Sequence, residues 1–373
     1  HSNSLSNKMD NSLLAVRDIN HKYIVVGGKF MELFTQRLIL RPWKLSDAER
    51  LYQYAKNPNI GPVAGWPAHT SIENSREIIQ TVFAQEETYA VCLKTDHAAV
   101  GCAAISIGSQ SNLNLSDDEG EIGYWIGEPL WGQGLIPEAC IELIRRSFED
   151  LKLKRLWCGY FEGNEKSRRV QEKCGFVYHH TNKNIHWELM DDIRTEHISV
   201  LEPMRVWLDE EKEESRYCII RRIQRNEIAR LKHFLYEAIF IPEGSDPPAK
   251  NIVEQPQLRV YTDGFGTQKG DYCLVADSGG KAVGAVWTRI MQDYGHIDND
   301  TPSFAISLDK EYRGKGIGTE LMKRMLGLLK AQGYKKASLA VQKANSAALN
   351  MYNNLGFETV SEKESEYIML HRL

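Results

Sequence analysis

"YRGKGIGTELM", residues Tyr312 to Met322, sets Gly314, Gly316 and Gly318 two positions apart and follows them with an amphipathic run. Inside a helix each glycine would cost roughly 0.5–1 kcal/mol relative to alanine, so the triplet belongs to the turn that feeds a helix. Leu321, Met322, Met325, Leu326 and Leu329 recur at the 3.6-residue period and mark that helix. Upstream, "FAISL" (Phe304 to Leu308) is short and apolar enough for a buried strand. Strand, glycine turn and helix N-terminus together present unpaired backbone N–H groups, which is how a backbone receives an anion.

The same design occurs earlier in the chain. "LWGQGLIPEACIELI" (Leu130 to Ile144) has Gly132 and Gly134 before a helix whose Ile141, Ile144, Phe148 and Leu151 share a face. Pro137 suits the first turn of that helix, where a missing N–H is harmless. Each turn is followed by a strand and a second helix ending in Gly-Phe: "LWCGYFEGNEKSRRVQEKCGF" in the first copy, "SLAVQKANSAALNMYNNLGF" in the second. Gly134 and Gly316 stand 182 positions apart, and the pairs Asn164/Asn345 and Gly175/Gly356 each 181, so two diverged copies of one module are expected.

The charge run "LDEEKEESR" has no apolar periodicity and reads as the seam, a linker at 208–215 between modules at 31–207 and 216–373. Residues 1–30 match neither copy and read as an extension, or alternatively as a small docked strand from "KYIVVGG". "SDAERLYQY" opens an early helix with a Ser46–Glu49 capping box. "YAVCLK", "AVGCAAISI" and "EIGYWIG" read as strands; "YCLVAD" and "AVGAVWTRIM" read as a hairpin around Gly279–Gly280. The expected class is α+β, with a mixed, mainly antiparallel sheet flanked by helices in each module.

Composition sets the outer limits. The 373 residues are 42% hydrophobic and 26% charged, the balance of about two globular domains. A net charge of -4 points away from nucleic acid and anionic membrane as general partners. No apolar run reaches the roughly 18–20 residues of a membrane span, and no secretion signal is recognisable. The seven cysteines lack CxxC spacing, which favours reduced thiols and a cytoplasmic setting over a disulfide framework or metal site.

Three phosphate-cradling patterns compete for the glycine turn. The P-loop signature GxxxxGK[ST] is absent from both copies, and the dinucleotide pattern GxGxxG does not fit. The third is R-x-x-G-x-G, present as "RGKGIG", with N-x-x-A-x-x-x-Y-x-x-x-G-F following at Asn345 to Phe357. This pair of motifs resembles the GNAT acetyltransferase superfamily, over nearly all of module two. Module one is similar to the RimJ/RimL-like branch in "FTQRLILRPW", "EIGYWIG", "WGQGLIPEA" and "NEKSRRVQEKCGF".

The resemblance implies acetyl-CoA as cosubstrate, its pyrophosphate held by Arg313, Gly314, Lys315, Gly316, Ile317 and Gly318 in module two. In module one Gly132, Gln133, Gly134, Leu135 and Ile136 would hold it, with Trp131 in place of the arginine and one cation fewer. It puts Ile306, Leu308 and Asn345 beside the pantetheine arm, and Asn164 in the corresponding place of module one; Asn345 and Asn164 also suit helix N-caps. It makes Tyr352 the general acid of module two, Glu121 the base of module one and Ser167 the serine near the thiolate. Gln171 stands at the position of Tyr352, and Ser303 and Phe304 stand where Glu121 would be. His296, Asp298 and Asp300 are the fallback bases of module two; Tyr236, Glu237 and Glu243 are its acceptor-side residues. The expected activity is acetyl transfer to an amine, of a small molecule or a peptide N-terminus, with module two the better-equipped catalyst. A chain with one active module, or an acyl-CoA sensor without turnover, is the alternative. The residues leave the acceptor and the oligomeric state open.

Overall fold

The computed structural model describes residues 24–26, 30–209 and 214–373. Contacts divide the chain into two units, residues up to 170 with 178–200, and 171–177 with 201–373. The first module runs β1 (Ile24–Val26), β2 (Phe30–Phe34), β3 (Leu38–Pro42), α1 (Ala48–Ala55), α2 (Gly61–Ala64), α3 (Ile72–Thr81), β4 (Thr88–Leu93), β5 (Ala99–Ile107), β6 (Glu119–Ile126), α4 (Leu135–Arg145), β7 (Arg155–Phe161), α5 (Glu165–Cys174), β8 (Val177–Trp187) and β9 (Asp192–Leu201). The second runs β10 (Met204–Asp209), β11 (Glu214–Arg222), α6 (Leu231–Ala238), α7 (Pro256–Arg259), β12 (Tyr272–Ser278), β13 (Lys281–Arg289), β14 (Ser303–Leu308), α8 (Ile317–Ala331), β15 (Lys336–Gln342), α9 (Ser346–Asn354), β16 (Glu358–Glu362) and β17 (Glu366–Arg372).

The sheets have orders β1-β2-β3-β4-β5-β6-β7-β9-β8 and β10-β11-β12-β13-β14-β15-β17-β16, the same winding apart from the extra β1. β6 and β7 run parallel and pair only from Glu119↔Arg155 to Glu121↔Trp157, while β14 and β15 pair only at Ser303↔Ser338. Beyond these points the two central strands part. Glu121 and Ser303 are 182 positions apart, the same offset as Gly134 and Gly316, so the splay is duplicated in register. Two diverging strands leave ladder N–H and C=O groups for something else to satisfy, which is what makes the gap a binding cleft.

The amphipathic helices cover the sheets as their periodicity predicts. Leu321, Met322, Met325, Leu326 and Leu329 of α8 are buried, and so are Ile141 and Ile144 of α4 and Phe148 just beyond it. Gly279 and Gly280 take φ of 64° and 76°, the left-handed pair that a two-residue hairpin between β12 and β13 requires.

A second repeated device escapes inspection of the sequence. Arg41 holds Asp47 through two hydrogen bonds of 2.7 and 2.8 Å, and Arg221 holds Glu227 through two of 2.7 Å, 180 positions later. In each module the acid also accepts a backbone N–H, from Lys44 or Gln224, and so fastens the turn that enters the first helix. This corrects the expected capping box: Asp47, rather than Ser46 and Glu49, fastens the turn before α1.

Two further expectations change. Residues 208–215 are not a linker, because Leu208 and Asp209 end β10 and Glu214 and Ser215 begin its antiparallel partner β11. The acidic run thus joins two antiparallel strands inside the second unit. Within residues 1–30, Ile24–Val26 pairs antiparallel with β2, in line with the alternative strand reading; most of the rest lies outside the described residues.

Candidate active sites

Gly314 and Gly316, like Gly132 and Gly134, form the turn as expected, whereas Gly318, expected in the turn, lies in the first turn of α8. Gly314 and Gly316 adopt φ of 73° and 81°, Gly132 and Gly134 φ of 76° and 74°. Only glycine holds such angles without strain, and the last of each pair is the N-cap of α8 or α4. Neither helix has a side-chain cap on its first N–H groups. A Cβ on Gly132, Gly314 or Gly316 would meet nothing within 4 Å, and one on Gly134 only Arg37 at 3.7 Å. Room and donors therefore coincide, as a pyrophosphate needs. Ile317, Leu135 and Ile136 bury their side chains beneath the turn and offer only backbone to it.

Leu308 and Ile306 line the path from this turn into the cleft. A Cβ on Gly318 would lie 3.7 Å from Leu308, 4.0 Å from Ile306 and 3.6 Å from Met351 of α9, so the four form one apolar wall. Lys315 reaches back to the carbonyl of Trp207.

Arginine usage departs from expectation. Arg313 does not point freely at the cradle; it donates to the Leu308 carbonyl (2.9 Å) and to the Glu237 carboxylate (2.7 Å), which lowers its net charge toward a ligand. Glu237 therefore braces the turn instead of facing an acceptor, and Tyr236 donates to the Pro248 carbonyl. Module one, expected to have one cation fewer, recruits Arg37 from the β2–β3 turn. Its guanidinium donates to the Gln133 carbonyl at 3.0 Å and to Glu138 at 2.7 Å. Trp131, in place of the arginine, is capped by the Lys166 ammonium at 3.3 Å.

Tyr352 is 7% exposed, and its ring lies 5.8 Å from that of Phe357. Burial pushes its phenol up to about 12. Among the described residues its hydroxyl has no hydrogen-bond partner. Asn345 and Asn164 both cap helices: their side-chain oxygens accept from the N–H of Ala348 (3.1 Å) and Ser167 (3.2 Å). In module one Gln171 is buried at the position of Tyr352, and a tyrosine arrives from the facing strand instead. Tyr124 of β6 lies 3.0 Å from the Ser167 hydroxyl. Tyr124 was missed because its counterpart in module two, 182 positions on, is Ile306.

The carboxylates also differ. Glu121 sits where β6 leaves β7, accepts the Ser111 hydroxyl at 2.7 Å, and has its pKa raised by burial. Beside it Glu196 of β9 is 8% exposed. In module two Asp298 is no base: its bonds to Lys336 and Thr301 hold it at about 2. His296 is engaged with Met291 and Gln292. Asp300, exposed at the loop tip, donates its backbone N–H to Asp298. Asp293, not singled out in the sequence, accepts the hydroxyls of Ser303 (2.6 Å) and Tyr261 (2.8 Å), and its other oxygen is buried without a partner. It thus bonds Ser303, the counterpart of Glu121 182 positions on. The buried thiols of Cys92, Cys102 and Cys218 are pushed up to about 12 by burial, which disqualifies them as nucleophiles.

Among the described residues no helix is long and apolar enough to cross a membrane. Residues 37–177 match the model of an acetyltransferase (GNAT) domain and residues 236–357 that of the acetyltransferase (GNAT) family. YdaF of Bacillus subtilis, which carries a provisional ribosomal N-acetyltransferase name, is 43% identical over 76 residues, 20% of this chain and 40% of its own length. The uncharacterized N-acetyltransferase p20 of Bacillus licheniformis is 30% identical over 149 residues, 39% of this chain and 81% of its own. Mouse N-acetyltransferase 8 is 28% identical over 118 residues, 31% of this chain and 52% of its own. The chain thus spans about half or less of two of these relatives. With matching models on both halves, and the same turn, splay and winding in each, the chain belongs to the GNAT acetyltransferase superfamily, as a tandem of two such domains.

Proposed function

We propose that the chain is an N-acetyltransferase that moves an acetyl group from acetyl-CoA to an amine, in direct attack without a covalent enzyme intermediate. The observation that carries this is the junction of an uncapped, glycine-lined helix N-terminus with a splayed parallel strand pair, present in both modules. Acetyl-CoA supplies an activated thioester; the chain's own groups do the rest. The first-turn N–H groups of α8 and α4 hold the pyrophosphate, and the parted strands take the pantetheine arm as though it were a strand.

In module two Asp293, through Ser303, receives the proton the amine sheds as its nitrogen bonds to the acyl carbon. The C–S bond breaks, and Tyr352 meets the departing thiolate. With a phenol near 12 and a thiol near 8.5, full proton transfer would be roughly 5 kcal/mol uphill. Tyr352 therefore acts chiefly as a hydrogen-bond donor that tightens as charge develops. In module one Tyr124 and Ser167 serve the thiolate. The acceptor is an amine of a small molecule or a peptide N-terminus, and the ribosomal name of YdaF favours the latter.

The test is CoA release from acetyl-CoA over a panel of free amines and N-terminal peptides, alongside calorimetric titration with CoA. Two bound CoA per chain with turnover is expected. Binding without turnover on any amine would leave a sensor, and no binding would end the proposal.

A further inference from the structure

Resting on that acetyl-transfer reading, we propose that Glu196 is the proton acceptor of module one, and that Glu121 acts through it as a positioning residue. The starting point is a glycine that the turn logic does not explain. Gly159 lies in the middle of β7, in the same cleft-lining strand as Trp157, which is paired with Glu121. A Cβ on Gly159 would come within 2.6 Å of the Glu196 Oε1. The missing side chain is what lets this carboxylate lie across the strand. β7 thus carries Glu121 on its β6 side and Glu196 on its β9 side, one acid on each flank of the strand that borders the cleft.

The two acids are not equivalent. Glu121 already accepts the Ser111 hydroxyl, whereas the Glu196 side chain has no hydrogen-bond partner among the described residues. The other charged groups of these strands are committed elsewhere: Arg155 pairs with Glu119, Arg194 with Asp192, and His179 packs edge-on against Trp157. His197 bonds to Thr181. Glu196 therefore feels burial and the like charge of Glu121, which push it up to about 7. A buried acceptor poised near neutral pH, and increasingly ionised above it, suits a base.

The value also narrows the acceptor. An α-ammonium near 8 passes its proton to a group near 7 at little cost, while lysine near 10.4 would lose over three pKa steps in the same transfer. The class of acceptor that fits module one is an amine of α-amino basicity. Ordered by atoms, the amine nitrogen gives its proton to the Glu196 carboxylate as the N–C bond forms, and CoA leaves with the sulfur electron pair.

The experiment uses the full chain with module two silenced by Gly316→Glu, checked for folding by circular dichroism. The rate of acetyl transfer to short peptides with free Ala, Ser or Met N-termini is measured from pH 5.5 to 9. The parent should show kcat/KM rising through a limb near pH 7. Glu196→Gln should lose about 10²–10³-fold and the limb with it. Glu121→Gln, which removes the neighbouring charge, should keep most of the rate and move the limb to lower pH. Glu196→Asp should recover part of the rate. A limb that survives Glu196→Gln, or one abolished by Glu121→Gln alone, overturns the assignment while leaving acetyl transfer intact. A parent inactive on every peptide at every pH overturns the acetyl-transfer reading of module one together with its base.

Discussion

At the point where the central strands part, module one has Glu121 opposite Trp157, and module two has Ser303 opposite Ser338. The strand order is the same in both, yet the polar groups come from different elements. The hydroxyl we assign to the leaving group is Tyr124 of β6 in one copy and Tyr352 of α9 in the other. The carboxylate is on strands β6 and β9 in one and in the loop before β14 in the other. The arginine at the glycine turn comes from 96 positions upstream, Arg37 against Gln133, or from within the motif, Arg313. What the two modules share is the turn and the splay; what differs is which residue reaches the cleft. A cleft that needs one donor and one acceptor at given points can be served from any strand bordering it.

The sharpest way to break the comparison is to fill one cradle at a time. Gly316→Glu should abolish CoA binding at module two only, and Gly134→Glu at module one only, each leaving one site by calorimetry. A substitution that empties both sites would mean the modules do not bind independently.

Next in size are the hydroxyls. Tyr352→Phe should lower kcat of module two by about 10²–10³-fold with CoA affinity preserved, because the ring's packing stays. Tyr124→Phe should slow module one by less, since Ser167 remains. Equal effects in single-turnover kinetics would contradict the difference between the modules.

Glu196 predicts a pH dependence of stability. An unfolded glutamate titrates near 4.3 and folded Glu196 near 7, so the native state holds the extra proton between these values. Stability from this site is present below about pH 4 and is lost as pH rises through 7. Glu196→Gln should therefore stabilise the fold by about 1–3 kcal/mol at pH 8 and by little at pH 4, read by urea unfolding at both. A constant difference across pH would show that Glu196 is not raised.

The smallest effects belong to the arginines. Arg37→Met should raise the CoA Kd of module one several-fold, since it unties the turn and leaves the buried Glu138 uncompensated beside the helix N-terminus. Arg313→Met should do the same in module two, and Glu237→Gln in the same chain should recover most of it by removing the stranded charge.

How much was readable in advance follows from the range of the forces. The glycine turns, the amphipathic faces of α4 and α8, the hairpin at Gly279–Gly280 and the duplication were all visible in the chain. Each rests on backbone angles or periodicities set by neighbours a few positions apart. The charged run at 208–215 misled because the ends of two paired strands and a linker can share a composition, and only the pairing of β10 with β11 tells them apart.

The groups in the clefts were beyond local reading. Arg37 reaches Gln133, Glu196 rests over Gly159 and Asp293 takes Ser303 only because the sheet's register brings those strands and loops together. A slip of one residue would turn each side chain to the opposite face. The sequence by itself determined that there are two anion-ready turns on two copies of one fold. Which side chains meet at each, and with what charge, was decided by strand order and register, because hydrogen bonds and burial act between residues close in space, whatever their distance along the chain.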